Sequence, residues 1–391
     1  MSRPPLGPAE IVVDLAAIRA NARLLRETAG VPLIAVVKAD GYGHGMVESA
    51  RAARAGGAEW LATATIEEAL ALRAAGVDGP LLCWITTLES DYSAAADAGI
   101  DVTVYEESEL DAMALAFDHD RRADRGKAPA RIQIKVDTGL SRGGAPRAAW
   151  EELFARSHQG ELMGLWKVTG IWSHFACADE PDHPANDRQE EAFREALVLA
   201  ERAGLRPELR HLANSAAALL RPSARFDAVR CGIALYGLDP APGQTLPVTL
   251  RPAMTVRAPL VMVKELAAGE SISYGHHWTV ESPTTVGLVP VGYGDGIPRH
   301  AFRADAPEAA AQVGIDGRLR PIRGTVCMDQ VVVDLGGDHP PVGSEVVVLG
   351  PPGSGGPTAQ DWAEACGTIN YEIVTRIGGR MSRRYVDGAS Q

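Results

Sequence analysis

The sequence has few cysteines, no long apolar run and no excess of basic residues, and each shortage excludes a class of protein. Its five cysteines are scattered along 391 residues without a Cys-x-x-Cys pair. A disulfide framework is therefore excluded, and a cytoplasmic chain with reduced thiols is predicted. No apolar run approaches the roughly 18 residues of a membrane span. Because 50 acidic residues outnumber 38 basic ones, neither nucleic acid nor a membrane surface is an expected partner.

Several functional signatures are also absent. The strings Gly41–Gly45 and Gly292–Gly296 lack the G-x-G-x-x-G spacing of a dinucleotide site, and Gly350–Gly356 lacks the Lys-Ser/Thr pair of a P-loop. There is no G-x-S-x-G elbow and no H-E-x-x-H pair. We therefore predict neither a nucleotide loop nor a metal site.

The first part of the chain alternates short β-branched runs with helical stretches such as Ile66–Ala75, Ser108–Ala116 and Asp187–Ala203. About eight strand–helix units in roughly 240 residues match the size of a (β/α)8 barrel. A doubly wound sheet is the alternative, because it produces the same alternation with fewer units. The strand-like runs are Leu33–Lys38, Glu59–Ala62, Leu81–Ile85, Ile100–Val104, Arg131–Val136, Thr169–His174, Leu209–Ala213 and Ala228–Ile233.

The texture of the chain changes after about residue 240. The linker Gly237–Pro247 contains three prolines and two glycines, which continue neither a helix nor a central strand. We predict a barrel over residues 1–240 and an all-β domain over residues 241–391, with the early run Ile11–Asp14 as a strand that could join the second domain. The strands predicted in the second domain are Val286–Tyr293, Gly324–Asp334 and Ser344–Leu349.

The strongest local signal is a lysine that closes an apolar strand and precedes a glycine-dense turn. Lys38 ends the run Ala35–Lys38 and is followed by Gly41–Gly45. In a barrel, chemistry takes place at the C-terminal ends of the strands. An amine held there against apolar walls has its charged form disfavoured, which favours a nucleophile. On these features alone, a solvated lysine at a strand end is the alternative interpretation.

The string Ala35–Gly45 resembles the cofactor-lysine segment of alanine racemases, which are pyridoxal-5′-phosphate enzymes of fold type III. The resemblance recurs in order along nearly the whole chain, so it is specific. It implies an N-terminal (β/α)8 barrel and a C-terminal β domain, in agreement with the pattern of strands and helices. The other similar segments are Lys135–Arg142, Gly170–Ala176, His211–Ala217, Val229–Gly237, Ser273–Gly275, Gly292–Gly296, Cys327–Gln330 and Ile369–Glu372.

The resemblance implies interconversion of L- and D-alanine by two bases on a pyridoxal-phosphate Schiff base. Lys38 would bind the cofactor and act as a base on one face, and Tyr274 would act on the other. A phenol needs a nearby cation to lose its proton readily, and the family pattern supplies one through His174 and Arg230. Arg230 would also face the pyridine nitrogen and, as a donor only, leave it neutral. An ordinary ion pair is the alternative for this arginine.

The resemblance also implies the binding residues. Asn214 and Ser215 follow the seventh strand-like run and open a helical stretch, which suits a phosphate, although a plain helix cap is the alternative. Arg142 would hold the cofactor phenol oxygen and the substrate carboxylate, and Lys135 often carries a carbamate in this family. Gly143 departs from the family pattern, which usually has leucine there. The other implied contacts are Tyr42, Gly232, Ile233 and Tyr371 for phosphate, and Met328 and Tyr293 for substrate.

In the family, the residues matching Tyr274, Tyr293 and Met328 reach the cofactor from the partner subunit, so the resemblance implies a head-to-tail homodimer with shared active sites. It also implies a cytoplasmic enzyme that supplies D-alanine for peptidoglycan. Three alternatives stay open: a racemase of broader specificity for serine or lysine, a fold type III decarboxylase, and a non-catalytic pyridoxal-phosphate carrier. A decarboxylase of this fold usually pairs the ring nitrogen with a glutamate. An arginine at that position, Arg230, therefore argues against a decarboxylase.

Overall fold

A computed structural model describes residues 9–117 and 129–388, and it contains a ring of eight parallel strands, β2 to β9. Their order is β8-β7-β6-β5-β4-β3-β2-β9, and the ring closes where Arg230 N donates to Ala213 O over 2.9 Å. The nine strands of the first part are β1 (Glu10–Asp14), β2 (Leu33–Val36), β3 (Trp60–Thr65), β4 (Leu81–Ile85), β5 (Asp101–Val104), β6 (Ala130–Lys135), β7 (Trp166–Trp172), β8 (Leu209–His211) and β9 (Val229–Cys231).

Each of the eight predicted runs coincides with a barrel strand, so the predicted barrel is confirmed and the doubly wound alternative is wrong. Helices of the described ranges cover the ring. They are α1 (Leu15–Ala29), α2 (Lys38–Tyr42), α3 (Met46–Ala55), α4 (Ile66–Ala74), α5 (Tyr92–Asp97), α6 (Glu107–Phe117), α7 (Trp150–Leu162), α8 (Ala185–Arg202) and α9 (Ser215–Leu220).

Side chains alternate between the two faces of each barrel strand. Leu33 and Ala35 of β2 join the large core beneath the helices, whereas Ile34 and Val36 join a smaller cluster with residues of β3, β4 and β8 and with Ala228, just before β9. On β5 to β9 the inward positions are largely polar and buried. These side chains are Asp101, Thr103, Gln133, Lys135, Thr169, His211 and Arg230.

A nine-stranded sheet forms the second domain, in the order β11-β14-β17-β16-β15-β18-β10-β1-β19. Strand β1 pairs antiparallel with β10 and parallel with β19. The remaining elements are β10 (Met254–Pro259), β11 (Met262–Leu266), β12 (Ser271–Ile272), β13 (Trp278–Thr279), β14 (Thr284–Val289), β15 (Gln312–Ile315), β16 (Arg318–Arg323), β17 (Val331–Gly336), β18 (Glu345–Leu349), α10 (Ala359–Cys366), α11 (Asn370–Arg376) and β19 (Ser382–Val386). The predicted domain limits at residues 1 and 391 lie outside the described residues.

Two strands predicted in this domain extend too far: the run Val286–Tyr293 stops being a strand after Val289, and Tyr293 begins a 3-10 turn. The run Gly324–Asp334 is a strand only from Val331 onward. The preceding loop instead turns its carbonyls toward another loop, where Cys327 O accepts from Tyr293 N over 3.0 Å and Met328 O accepts from Gly294 N over 2.9 Å. Among the described helices, none has both the length and the apolar character that crossing a bilayer requires.

Candidate active site

Lys38 lies at the C-terminal mouth of the barrel, two residues after β2 ends. Its Nζ stands 5.5 Å from the centre of the Trp84 ring. Burial lowers the pKa of this amine, and the nearby Arg142 charge lowers it further, while Glu68 opposes the shift. Lys38 is therefore held in surroundings that favour the neutral, nucleophilic form of an amine.

The backbone after Lys38 is left-handed over several residues. Ala39, Asp40 and Tyr42 each have φ of 52°, which is uncommon for residues with a Cβ. Contacts from outside hold this turn: Glu68 Oε1 accepts from Ala39 N over 2.8 Å, and Asp40 pairs with Arg383 of β19 over 2.7 Å. The turn thus directs Lys38 into the barrel mouth and brings Tyr42 back toward β9.

Arg230 is buried on β9 and donates to several acceptors. Its Nη1 bonds His211 Nδ1 at 2.8 Å and His211 O at 3.0 Å. Its Nη2 bonds Ser173 O at 2.6 Å and His174 Nδ1 at 3.2 Å. No carboxylate pairs with this guanidinium within the described ranges, so the ion-pair interpretation is not supported. Burial lowers the pKa of Arg230 to about 9, which leaves it a cation at neutral pH.

The guanidinium also determines where both neighbouring imidazoles carry their protons. Because a guanidinium can only donate, His174 Nδ1 and His211 Nδ1 must both accept, and the proton of each neutral ring is on Nε2. Burial and the charge of Arg230 lower the pKa of both histidines well below the usual value. Both rings are therefore neutral at physiological pH.

A second basic side chain, Lys135, packs against the same Trp172 ring as Arg230. Lys135 Nζ stands 4.7 Å from the Trp172 ring centre and 5.5 Å from that of Tyr105. Burial, with the charges of Arg230 and Arg142, lowers the pKa of Lys135 to about 8. A Cβ at Gly143 would lie 3.5 Å from Lys135 Nζ, an ordinary van der Waals distance, so this glycine packs directly beside the amine.

The loops after β8 and β9 meet in a compact group of polar atoms. Ser215 Oγ accepts from Gly232 N over 3.0 Å, while Asn214 caps α9 by accepting from Ala217 N. The Tyr42 hydroxyl lies so close to Gly232 that a Cβ there would approach it to 2.2 Å. Burial raises the pKa of Tyr42 and of Tyr371, which keeps both phenols protonated as donors.

A cleft of about 210 Å³ borders this group, with Asn214 and Tyr371 in its wall. The Tyr42 and Tyr371 rings are 6.4 Å apart. Ile233 begins a short 3-10 turn directly after Gly232. Six predicted phosphate-contacting residues are therefore gathered at one end of the barrel mouth: Tyr42, Asn214, Ser215, Gly232, Ile233 and Tyr371.

The three residues predicted to act from the partner subunit lie together on a different surface. Tyr274, Tyr293 and Met328 are 73%, 43% and 54% exposed. Thr325 Oγ1 donates to Tyr274 O over 2.8 Å, which joins the Tyr274 turn to the loop carrying Met328. Within the described parts of one chain, the Tyr274 side chain makes no hydrogen bond with His174, so only the His174–Arg230 half of the predicted chain is present.

Sequence reasoning gave no role to several residues that line the mouth. Trp84 faces Lys38, Trp172 packs against both Lys135 and Arg230, and His211 accepts from Arg230. A signal for the polar interior was present in β6, where Arg131, Gln133 and Lys135 alternate with isoleucines. That alternation places a polar row on the inner face of a closed barrel, which is an unusual position for it.

Comparisons with known proteins agree with this architecture. The family described as "Alanine racemase, N-terminal domain" matches residues 13–240, and "Alanine racemase, C-terminal domain" matches residues 253–385. An alanine racemase from Streptomyces coelicolor is 52% identical over 383 residues, covering 96% of this chain and 95% of that protein. One from Thermobifida fusca is 52% identical over 378 residues, covering 96% and 98%.

The fold comparison gives the same result. The crystal structure of alanine racemase from D-cycloserine-producing Streptomyces lavendulae superposes with a TM-score of 0.91 at 48% identity, over 99% of both chains. Fold and relatives together define an isomerase built on a barrel and a β domain. The chain belongs to the alanine racemase family.

Proposed function

We propose that this enzyme interconverts L- and D-alanine with pyridoxal phosphate held covalently by Lys38. The proposal depends above all on Arg230, a buried guanidinium that pairs with no carboxylate of residues 9–117 and 129–388 and lies in the same mouth as a lysine of lowered pKa. The names of the relatives support alanine as the substrate. Serine or lysine racemisation is the alternative within the same chemistry.

The residues of the mouth fit the cofactor. Lys38 would bind its aldehyde carbon, and the gathered group of Tyr42, Ser215 and Gly232 would hold its phosphate through hydroxyl and backbone N–H donors. Ser215 and Gly232 follow the seventh and eighth barrel strands, where barrels commonly bind phosphate. When bound, pyridoxal phosphate supplies an electron sink for the charge left on Cα after proton removal.

Arg230 would donate to the pyridine nitrogen and leave it unprotonated, because a guanidinium has no acceptor and keeps its own protons. By leaving that nitrogen unprotonated, Arg230 would limit how much charge is drawn away from Cα. The proton would therefore return to Cα promptly, which favours racemisation over transamination or decarboxylation. This disfavours the decarboxylase alternative.

Two groups would exchange the Cα proton on opposite faces. The Lys38 amine, once free of the cofactor, accepts or returns it on one face, helped by the burial that lowers its pKa. The Tyr274 hydroxyl would serve the other face from the neighbouring subunit. His174 Nε2–H would donate to that phenol oxygen, since Nδ1 is engaged by Arg230. Arg142 and the Met328 backbone N–H would hold the substrate carboxylate.

A head-to-tail homodimer is part of the proposal. Tyr274, Tyr293 and Met328 are exposed on one surface of the β domain, and a partner's barrel mouth would cover them. A cytoplasmic location is proposed as well, supported by five cysteines that are all unpaired in the structure. D-Alanine produced there would supply peptidoglycan synthesis.

A racemisation assay with alanine, serine and lysine tests the function. We expect D-alanine to form from L-alanine and the reverse, with an equilibrium constant of one because enantiomers have equal free energy, and with slower turnover of serine and lysine. The absorption spectrum should show covalently bound pyridoxal phosphate. Release of carbon dioxide in place of the enantiomer would favour a decarboxylase, and bound cofactor without turnover would favour a carrier.

Lys135 is expected to carry a carbamate, which forms only on a neutral amine. Because the pKa of Lys135 is lowered to about 8, the neutral fraction rises as the pH passes from about 7 to 9. Enzyme equilibrated with 13C-bicarbonate should therefore show a carbamate carbon signal that increases over this range. Lys135→Arg should abolish the signal, whereas Lys167→Arg, at an exposed ion pair with Glu208, should retain it. A signal that survives Lys135→Arg would refute the assignment.

A further inference from the structure

A buried chain of hydrogen bonds runs from Arg230 across the barrel interior to Asp101. His211 Nε2 bonds Gln133 Oε1 at 2.8 Å, and Gln133 Nε2 donates to Asp101 Oδ2 over 3.1 Å. Asp101 also accepts from Thr169 Oγ1 and, at its other oxygen, from Arg131 Nε over 2.6 Å. The chain therefore links β5, β6, β8 and β9 through side chains that point into the ring.

The direction of each bond is determined by the two ends. Arg230 is a donor only, and the carboxylate of Asp101, which forms an ion pair with Arg131, is an acceptor only. Gln133 must therefore present its N–H to Asp101 and its oxygen to His211, and His211 must present Nε2–H to Gln133 and a lone pair to Arg230. No other arrangement of the protons satisfies all three links.

Two local features of the barrel make room for this chain of hydrogen bonds. A Cβ at Gly170 would lie 2.7 Å from Gln133 Oε1, so a larger residue on β7 would displace the amide. The β6–β7 pairing also shifts register between Ile132 and Gln133, and such an irregularity re-aims side chains. His211, Gln133 and Asp101 are 0%, 0% and 1% exposed, so water does not compete for their bonds.

We infer that Asp101 and Gln133 are positioning residues for the racemisation step, because they hold His211 in the tautomer that orients Arg230 toward the cofactor ring. The inference rests on the proposed function in one respect, that Arg230 donates to the pyridine nitrogen of the cofactor. If His211 took the other tautomer, its Nδ1–H would face the guanidinium at 2.8 Å as a second donor. The two donors would repel each other, and the guanidinium would leave the position from which it would donate to the cofactor ring.

The first measurement needs no substitution. In 15N-histidine-labelled enzyme with cofactor bound, His211 should show a protonated Nε2 and an unprotonated Nδ1, unchanged between about pH 5.5 and 8.5 because burial holds its pKa well below the usual value. The His211 signals are identified by their loss in His211→Asn. A ring that is protonated at Nδ1 would overturn the inference directly.

Two substitutions then test the link to catalysis. Gln133→Met keeps the length of the side chain without its hydrogen bonds, and Asp101→Asn adds a donor to the acceptor-only end. Each should mix the His211 tautomers and lower kcat by about tenfold to a hundredfold, as expected for the loss of bonds that align a charged group. The KM for alanine should change little, because Arg142 and Met328 hold the carboxylate.

Glu190→Gln is the matched control. Glu190 is also buried and accepts from two arginines and a hydroxyl, but it lies on the outer helix α8. It should leave the His211 tautomer and kcat unchanged. If Gln133→Met shifts the tautomer while kcat stays at the control value, the positioning role is wrong. If the wild-type tautomer is as inferred but no amino acid is racemised, the proposed function fails, and the hydrogen-bond chain stands as a structural feature alone.

Discussion

Replacing Lys38 by alanine is expected to abolish covalent cofactor binding and to lower racemisation by about ten-thousand-fold or more. The substitution removes both the amine that would attach the cofactor and the base on one face, and a positioned base alone is worth roughly a hundredfold to ten-thousand-fold. After borohydride reduction, mass spectrometry should find the cofactor on the peptide containing Lys38 in the wild type and on no lysine in Lys38→Ala.

Lys264→Ala provides the control, because Lys264 is an exposed lysine on β11 of the other domain. It should retain full activity and the adduct at Lys38. The neighbouring amine Lys135 makes the experiment discriminating, since its pKa is also lowered. A reduced adduct on Lys135, or any covalent cofactor left in Lys38→Ala, would contradict the assignment of Lys38.

The barrel could be predicted because short strand-like runs alternate with helical stretches along the sequence. Runs such as Leu81–Ile85 are short and apolar, and parallel strands covered on both faces read in this way. The family resemblance then indicated residues of the mouth, and the six with a predicted phosphate role lie together at one end of it. Four of the six, Asn214, Ser215, Gly232 and Ile233, follow the ends of β8 and β9, where the count of strand–helix units already predicts an anion site. Tyr371 comes instead from α11 of the second domain, which no such count could indicate.

Other features of the structure correspond to no local pattern in the sequence. The left-handed backbone after Lys38 is imposed by contacts from Glu68 and from Arg383, which is over three hundred residues away in sequence. The loop Gly324–Gln330 resembles a strand in composition but is turned by bonds to Tyr293 and Gly294. The bond between Gln133 and His211 joins positions 78 residues apart. Such contacts arise only from tertiary packing, which local pattern does not encode.

Tyr274→Phe is expected to affect the two enantiomers differently. It removes only the hydroxyl that would exchange the proton on one face, while Lys38 remains on the other. Racemisation should fall by about a hundredfold to ten-thousand-fold. In deuterium oxide, exchange of the Cα proton should be lost from one enantiomer and retained by the other. Equal exchange from both, at the wild-type rate, would exclude a two-base scheme that uses this phenol.

Tyr385→Phe removes a phenol from the same domain and serves as the control. Its hydroxyl packs beside Gly45 and its side chain is half-buried, whereas Tyr274 is exposed. Exchange from both enantiomers should stay at the wild-type rate. A comparable loss in Tyr385→Phe would show that removal of a phenol from this domain disturbs the site indirectly.

Mixing the two inactive variants tests whether the phenol crosses between subunits. In a hybrid dimer, one site would combine Lys38 of one chain with the partner's Tyr274 and be intact, while the other would lack both groups. Random exchange makes about half of the dimers hybrids, each with one of two sites restored, so about a quarter of wild-type activity should return. If both groups of a site came from one chain, each site would carry a substitution in every dimer and mixing would restore nothing.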